Sequence, residues 1–263
     1  MNRPYIICHM VMSIDGKVTG DFLYREACYT ATEEYYRLNR ELPAQAFACG
    51  RVTMEGSFTG GWYPNLNGFE VGLPGQNGGL SGLENGNAEL AGNVSGPENG
   101  NVGLADYIAE TKATRYAVAF DRQGRLGWKT SQIEDEDPGY GGAHIIEVLC
   151  ENVSHAYLAY LRSIGVSYIF AGKKEMNLEL ALSKLQSKFG INTLLLEGGS
   201  VINGAFERAG LVDELSLVQV PVIAGADSKP HFDDSEICGY AVKNTVPLAG
   251  GAQWLRFVKK QEK

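Results

Sequence analysis

Short apolar runs, separated by turn residues and by amphipathic stretches, set the rhythm of this chain. Residues 5–12 form a continuous apolar run that leads into the turn Ser13-Ile14-Asp15-Gly16. Residues 46–49, 116–120, 145–149, 167–171 and 193–196 are shorter runs of the same kind. Unbroken runs of this length suit strands that are covered on both faces. Between them the period lengthens. Residues 30–42 predict a helix, with Thr30 as cap, Glu33 in the capping-box position and Pro43 as the stop. Residues 154–164 and 178–189 predict two more helices. Residues 215–223 read as a strand interrupted by Pro221, and 240–246 with 253–258 as a terminal hairpin. Strands alternating with helices and ending in a hairpin predict a three-layer αβα fold, with a mixed, mainly parallel sheet.

One stretch breaks the rhythm. Residues 65–103 are rich in Gly and Asn, contain no Lys or Arg, and repeat Glu84-Asn85-Gly86-Asn87 as Glu98-Asn99-Gly100-Asn101. So little apolar material cannot make a packed core. The chain therefore reads as one domain, 1–263, with a surface insertion at about 65–103; a lid role is the alternative.

Composition narrows the partners. The 263 residues carry a formal charge of −8, which argues against nucleic acid or an anionic membrane surface as the main partner. No apolar stretch reaches membrane-spanning length, and the start reads as a strand without a signal peptide, so the expected location is the cytoplasm. The five cysteines form no CxxC pair and the four histidines no metal spacing. They predict free thiols of a reducing compartment and no metal site.

The richest chemistry lies at Leu196-Glu197-Gly198-Gly199-Ser200-Val201-Ile202-Asn203. A strand, a glycine turn and a helix start present free backbone N–H groups and the positive end of a helix dipole, which together suit a phosphate. Ser200 is the expected N-cap. A tight connection with no ligand is the plain alternative. Two other strand ends carry ligand-like residues, Ser13-Ile14-Asp15-Gly16-Lys17 and Gly50-Arg51-Val52-Thr53.

The ordered set of motifs resembles the C-terminal reductase domain of the bifunctional riboflavin-biosynthesis deaminase-reductase, in the dihydrofolate-reductase-like superfamily. It comprises Arg3 through Lys17, Asp121-Arg122-Gln123-Gly124-Arg125-Leu126-Gly127-Trp128, Glu197 through Gly204, and Gly210 through Leu215 with Pro221 and Gly225. The resemblance implies a dihydrofolate-reductase-like fold and NADPH-dependent reduction of 5-amino-6-(5-phosphoribosylamino)uracil or a related heterocycle. Its alternatives are a pteridine reductase and a non-catalytic NADP-binding protein. The partner it implies is a phosphorylated pyrimidine or related heterocycle, and the expected assembly is a homodimer.

Carried onto this sequence, the resemblance implies cofactor contacts at Gly50, Arg51, Thr53, Arg122, Gly198, Gly199, Ser200, Val201, Ile202 and Asn203. Arg51 and Arg122 are the guanidinium candidates for a 2′-phosphate. Glu197 and Arg40 are the expected substrate contacts, and His9, Asp15 and Glu197 the expected catalytic group. Asp15 serves either to orient a ligand or to form an Asx-turn with Gly16. His9 stands where these reductases usually carry Lys; it reads either as a proton donor or as a core histidine. No H-x-E followed by P-C-x-x-C occurs in the chain, so reduction without deamination is expected.

Overall fold

The computed structural model describes residues 2–69, 105–234 and 238–260. Among them the strands form one nine-stranded sheet. In chain order the elements are β1 (Tyr5–Met12), α1 (Glu26–Glu41), β2 (Ala46–Gly50), α2 (Arg51–Met54), β3 (Tyr116–Phe120), β4 (His144–Leu149) and α3 (His155–Ser163). They continue as β5 (Ser167–Phe170), α4 (Leu178–Phe189), β6 (Thr193–Leu196), α5 (Ser200–Arg208), β7 (Glu214–Gln219), β8 (Tyr240–Pro247) and β9 (Gln253–Lys259). A π-helical turn, Glu55–Thr59, extends α2.

The sheet runs β5-β4-β3-β2-β6-β1-β7-β9-β8. β1 to β7 are mutually parallel, and the β8–β9 hairpin joins the β7 edge antiparallel. This is the mixed, mainly parallel sheet with a terminal hairpin that the pattern predicts. β6 enters late in the chain and lies between β1 and β2. The C-terminal ends of three sequence-distant strands are thereby brought side by side, the usual place for ligands in such sheets.

Strand alternation explains the unbroken apolar runs. Along β1, Ile6, Cys8 and Met10 pack on one face with Ala181, Leu182 and Leu185 of α4 and Phe206 of α5. Ile7 faces the opposite side, where Tyr157, Leu158 and Leu161 of α3 pack. Val11 meets Ala31 and Leu38 of α1 there. Covered on both faces, the strands have no polar side to show in sequence. Phe206 sits edge-on to Phe120 with ring centroids 5.4 Å apart.

Three expected boundaries move. α1 starts at Glu26 after Arg25 and not at Thr30. Its buried stripe includes Cys28, so packing carries the helix one turn earlier than the capping pattern suggests. β7 stops at Gln219, ahead of Pro221, which has no N–H to donate to a ladder. The expected start of the insertion is too early: Leu66 and Phe69 pack against the apolar cluster around α3, a second core on that face of the sheet, with Phe69 T-shaped on Tyr160 at 5.5 Å. Residues 70–104 lie outside the described ones. Among the described residues no helix is long and apolar enough to cross a membrane. Cys8, Cys28, Cys49 and Cys150 are buried free thiols, and Cys238 is an exposed one.

Candidate functional site

Two hollows open at the C-terminal ends of β2 and β6, and Thr53 lines both. The first is a groove of about 340 Å³, in which Gly50, Arg51 and Val52 face Gly199, Ser200 and Ile202. Gly198 carries the turn, with φ of +93°, a conformation that favours glycine. Its carbonyl accepts a hydrogen bond from the Gly50 amide at 2.8 Å, which ties the two loops together.

Two details differ from the expected turn. Gly199 has φ of −75° and is itself the N-cap of α5, so the positive φ belongs to Gly198 alone. Ser200 is the first helical residue, and its hydroxyl donates to the Pro230 carbonyl at 2.5 Å instead of capping. With no side chain spent on the cap, the first-turn amides of α5 stay available to a ligand. Gly199 matters for space: a Cβ there would sit 3.2 Å from Thr53 Oγ1.

The other expected cofactor contacts divide. Val201 is exposed and lines the groove, as do Arg51 and Ile202. Arg51 pairs with Glu55 one turn along. Asn203 lies buried behind the groove and donates to the His231 carbonyl at 3.3 Å, pinning the loop after β7 to α5. Arg122 falls outside the groove: it extends past Phe120 and pairs with Glu175 at 2.7 Å. The groove's second cation is Lys229, from the loop after β7. Sequence reasoning missed it because no periodic pattern marks that loop; the only signal is its place between Gly225 and Pro230, just past a strand.

The second hollow is a cleft of about 510 Å³. Its walls are aromatic. Phe47 and Tyr140 meet T-shaped at 4.9 Å, and Tyr36 and Phe58 each pack against Tyr140. Glu197, at the end of β6, lines it while only 6% exposed. Burial pushes its pKa up to about 7, against the opposing pull of hydrogen bonds from Asn39 and Tyr140 and of the Arg115 charge. Asn39 Nδ2 donates to Glu197 Oε1, and Arg115 in turn donates to Asn39 Oδ1 at 2.7 Å. The carboxyl group is therefore held in a fixed orientation, with its pKa raised well above the usual carboxylate range. Asn39 and Tyr140 were not foreseen. An asparagine inside an apolar helix stripe was the available signal for the first.

His9 and Asp15 are not brought to Glu197. His9 is fully buried behind Tyr35, stacked on it at 4.3 Å with an interplanar angle of 7°. Its Nε2 lies 3.2 Å from the Tyr35 carbonyl, and its Nδ1 lies 3.0 Å from Ser216 Oγ. Its Nδ1 also lies 3.1 Å from the Ser216 carbonyl, so each ring nitrogen faces a backbone carbonyl to which it can donate. Burial lowers the His9 pKa to about 4. This is the core-histidine alternative, one ring removed from the cleft. Asp15 is exposed and accepts from the Ala224 amide at 2.9 Å, clasping the loop that carries Lys229. Arg40 borders the cleft but pairs with Asp137 at 2.5 Å.

The RibD C-terminal domain family matches residues 141–249. A 2,5-diamino-6-ribosylamino-4(3H)-pyrimidinone 5′-phosphate reductase of Aquifex aeolicus is 34% identical over 79 residues, 30% of this chain and 35% of that protein. The reductase of the same name from Methanothermobacter thermautotrophicus is 37% identical over 68 residues, 26% of this chain and 31% of that one. These alignments span about a third of the curated relatives' length. Among solved structures, Acinetobacter baumannii RibD superposes with a TM-score of 0.61 at 16% identity, covering 99% of this chain and 59% of that one. A pyrimidine reductase-like protein of Corynebacterium diphtheriae gives 0.62 at 16% identity, covering 99% and 94%. The described residues therefore share the fold of these structures.

Proposed function

We propose that this chain, whose residues 141–249 match the RibD C-terminal domain family, is an NADPH-dependent reductase of a small amino-substituted heterocycle. The observation that carries the reading is the pair of hollows meeting at Thr53. One offers helix-start amides and Lys229 to a phosphate-bearing cofactor, with Arg51 on its wall held by Glu55, and the other sets a buried carboxyl group within aromatic walls. The activity named for those relatives supports the same reading.

The groove fits a dinucleotide on its own features. Glycine at position 199 leaves the space above Thr53 open, the first-turn amides of α5 face it, and Arg51 and Lys229 line it. Bound there, a nicotinamide ring would supply hydride. The chain's own task is orientation and proton supply. Glu197, with its pKa near 7, holds a proton at its carboxyl group and can pass it to a substrate nitrogen as the adjacent carbon is reduced. Asn39 and Tyr140 then stabilise the carboxylate left behind.

The test is a titration of NADPH and NADH into the protein, followed by turnover of ribosylaminopyrimidines, with and without a 5′-phosphate, read at the NADPH absorbance. Tighter binding of NADPH than NADH and substrate-dependent oxidation are expected. A protein that binds neither cofactor would overturn the reading. Binding without turnover of any pyrimidine would leave only a cofactor-binding protein.

A further inference from the structure

Besides Asn39 and Tyr140, a third donor reaches Glu197. Tyr35, on α1, lines the cleft beside both Tyr140 and Glu197, and its phenol hydrogen-bonds the side chains of both. The ring of Tyr35 lies on His9, 4.3 Å away and 7° from parallel. His9 Nε2 also lies 3.2 Å from the Tyr35 carbonyl. One buried side chain thus holds both the ring and the backbone of Tyr35. His9 is fixed in turn. Its Nδ1 lies 3.0 Å from Ser216 Oγ on β7, and that oxygen accepts from Trp254 Nε1 on β9 at 2.8 Å. His9 and Ser216 are fully buried. Three neighbouring strands, β1, β7 and β9, therefore back a single helical side chain. Apolar residues would fill that space without the cost of desolvating an imidazole and a hydroxyl. What the polar bed adds is a defined geometry for the ring above it.

Proton transfer from Glu197 uses that geometry. The carbon of a substrate C=N bond takes the hydride, the nitrogen takes the Glu197 proton with the freed electron pair, and a carboxylate is left behind. In an aromatic, buried setting such an anion is costly unless donors surround it. Asn39 supplies one donor, steadied by Arg115. Tyr140 supplies another, with Asn39 Nδ2 lying 3.4 Å from its hydroxyl. Tyr35 completes the set from the His9 side. Burial holds the pKa of both phenols above the ordinary value, so both stay donors where Glu197 titrates. The other ionisable groups around Glu197 are Cys49 of β2, whose buried thiol is also pushed up, and Arg115. Asp135 and Asp137 line the same cleft, the latter paired with Arg40. We propose that Tyr35 is a further catalytic residue of the cleft, its hydroxyl bonding the Glu197 carboxylate that proton transfer creates, and that His9 is the positioning residue that aims it. The proposal rests on the reductase reading above.

The experiment reads the Glu197 proton directly. Infrared difference titration of each protein against the same protein carrying Glu197→Gln isolates the Glu197 carboxyl band and its midpoint, with no substrate or cofactor present. Tyr35→Phe keeps the ring on His9 and deletes the hydroxyl. Losing a donor to the charged form favours the protonated one, so the midpoint should move up by roughly half a pH unit or more. Turnover of 2,5-diamino-6-ribosylamino-4(3H)-pyrimidinone 5′-phosphate with NADPH should fall roughly tenfold or more in kcat. Its high-pH limb should move upward with the midpoint, and NADPH affinity should hold. His9→Leu removes the stack and should also move the midpoint up; His9→Asn, which lacks the ring too, serves if that variant does not fold. His9→Phe keeps a ring against Tyr35 and should move it less than half as far. In the Tyr35→Phe background the ring-free His9 variant should add no further shift. An unmoved midpoint in Tyr35→Phe overturns the proposal and leaves the reductase reading standing. A His9 shift that persists in the Tyr35→Phe background, or no shift without the ring, overturns the positioning role of His9. A native protein that neither binds nor oxidises NADPH overturns the reductase reading and the catalytic role together, whatever the infrared midpoints show.

Discussion

Burial shifts the pKa of Glu197, just past β6, upward and that of His9, on the neighbouring β1, downward. Burial raises the Glu197 pKa from 4.5 to about 7. The folded protein therefore holds this proton more tightly than the unfolded chain, and stability falls as pH rises from about 4.5 to 7. A shift of that size corresponds to about 3 kcal/mol at most. Glu197→Gln should abolish that slope, so thermal melts of variant and native protein should diverge across this window in the variant's favour. The same substitution should leave NADPH binding intact and cut kcat by roughly 10²–10⁴, the range typical of a lost general acid. Unchanged turnover would remove Glu197 from proton transfer. His9 behaves oppositely. Its pKa is lowered from 6.5 to about 4, so the unfolded state binds the proton more tightly and stability is lost as pH falls from 6.5 towards 4. His231 shifts in the same direction, so the comparison must be made against His9→Phe, which keeps an aromatic ring against Tyr35. The melting-temperature gap between native and variant should narrow as the pH is lowered through that window. A constant gap would show that His9 does not titrate there.

At the scale of elements, the glycine turn and the helix it starts carry the cofactor reading. Gly199→Val would place two methyl groups beyond a Cβ already 3.2 Å from Thr53 Oγ1. With φ of −75° at that position, the backbone accepts the substitution. The expected outcome is a folded protein whose NADPH affinity falls at least a hundredfold, read by fluorescence titration beside a thermal melt. Retained affinity would move the phosphate site away from α5. The strands were legible because both faces of the sheet are covered, which turns each strand into an apolar run such as Thr193–Leu196. Of the candidate groove, what was legible was the backbone that shapes it, at Gly50, Gly198 and Gly199. Side-chain assignments were less so. Arg122 and Arg40 have the right chemistry for an anion but are claimed by Glu175 and Asp137, partners far away in sequence. Asn39, Tyr140 and Lys229 reach the site only through tertiary packing, and no local pattern announces them.

At the scale of the whole molecule, the question is where the compact domain ends and the long Gly/Asn-rich segment begins. Composition alone put that boundary at residue 65, because Asn65 and Asn67 already look like the segment that follows. Packing puts it later: Leu66 and Phe69 belong to the second core, and Phe69 sits on Tyr160 of α3. The other end is also anchored. Asp106 accepts from the Phe170 amide at 2.8 Å and pairs with Lys184 at 2.9 Å, and Tyr107 bridges to Tyr168. Replacing residues 70–104 by a short Gly/Ser linker should therefore leave the fold intact. It should raise stability modestly, since cutting a loop of roughly 35 residues to about four changes the closure cost by about 2 kcal/mol at 0.6 per doubling. Extending the deletion back to residue 65 should cost more than that gain, because it strips Leu66 and Phe69 from an apolar surface, at about 1.5–3 kcal/mol for each large side chain fully buried. Melts of the two deletions separate these effects. A short deletion that fails to fold would make the segment part of the core. One that folds and binds NADPH but loses the pyrimidine would make it a cover for the acidic cleft.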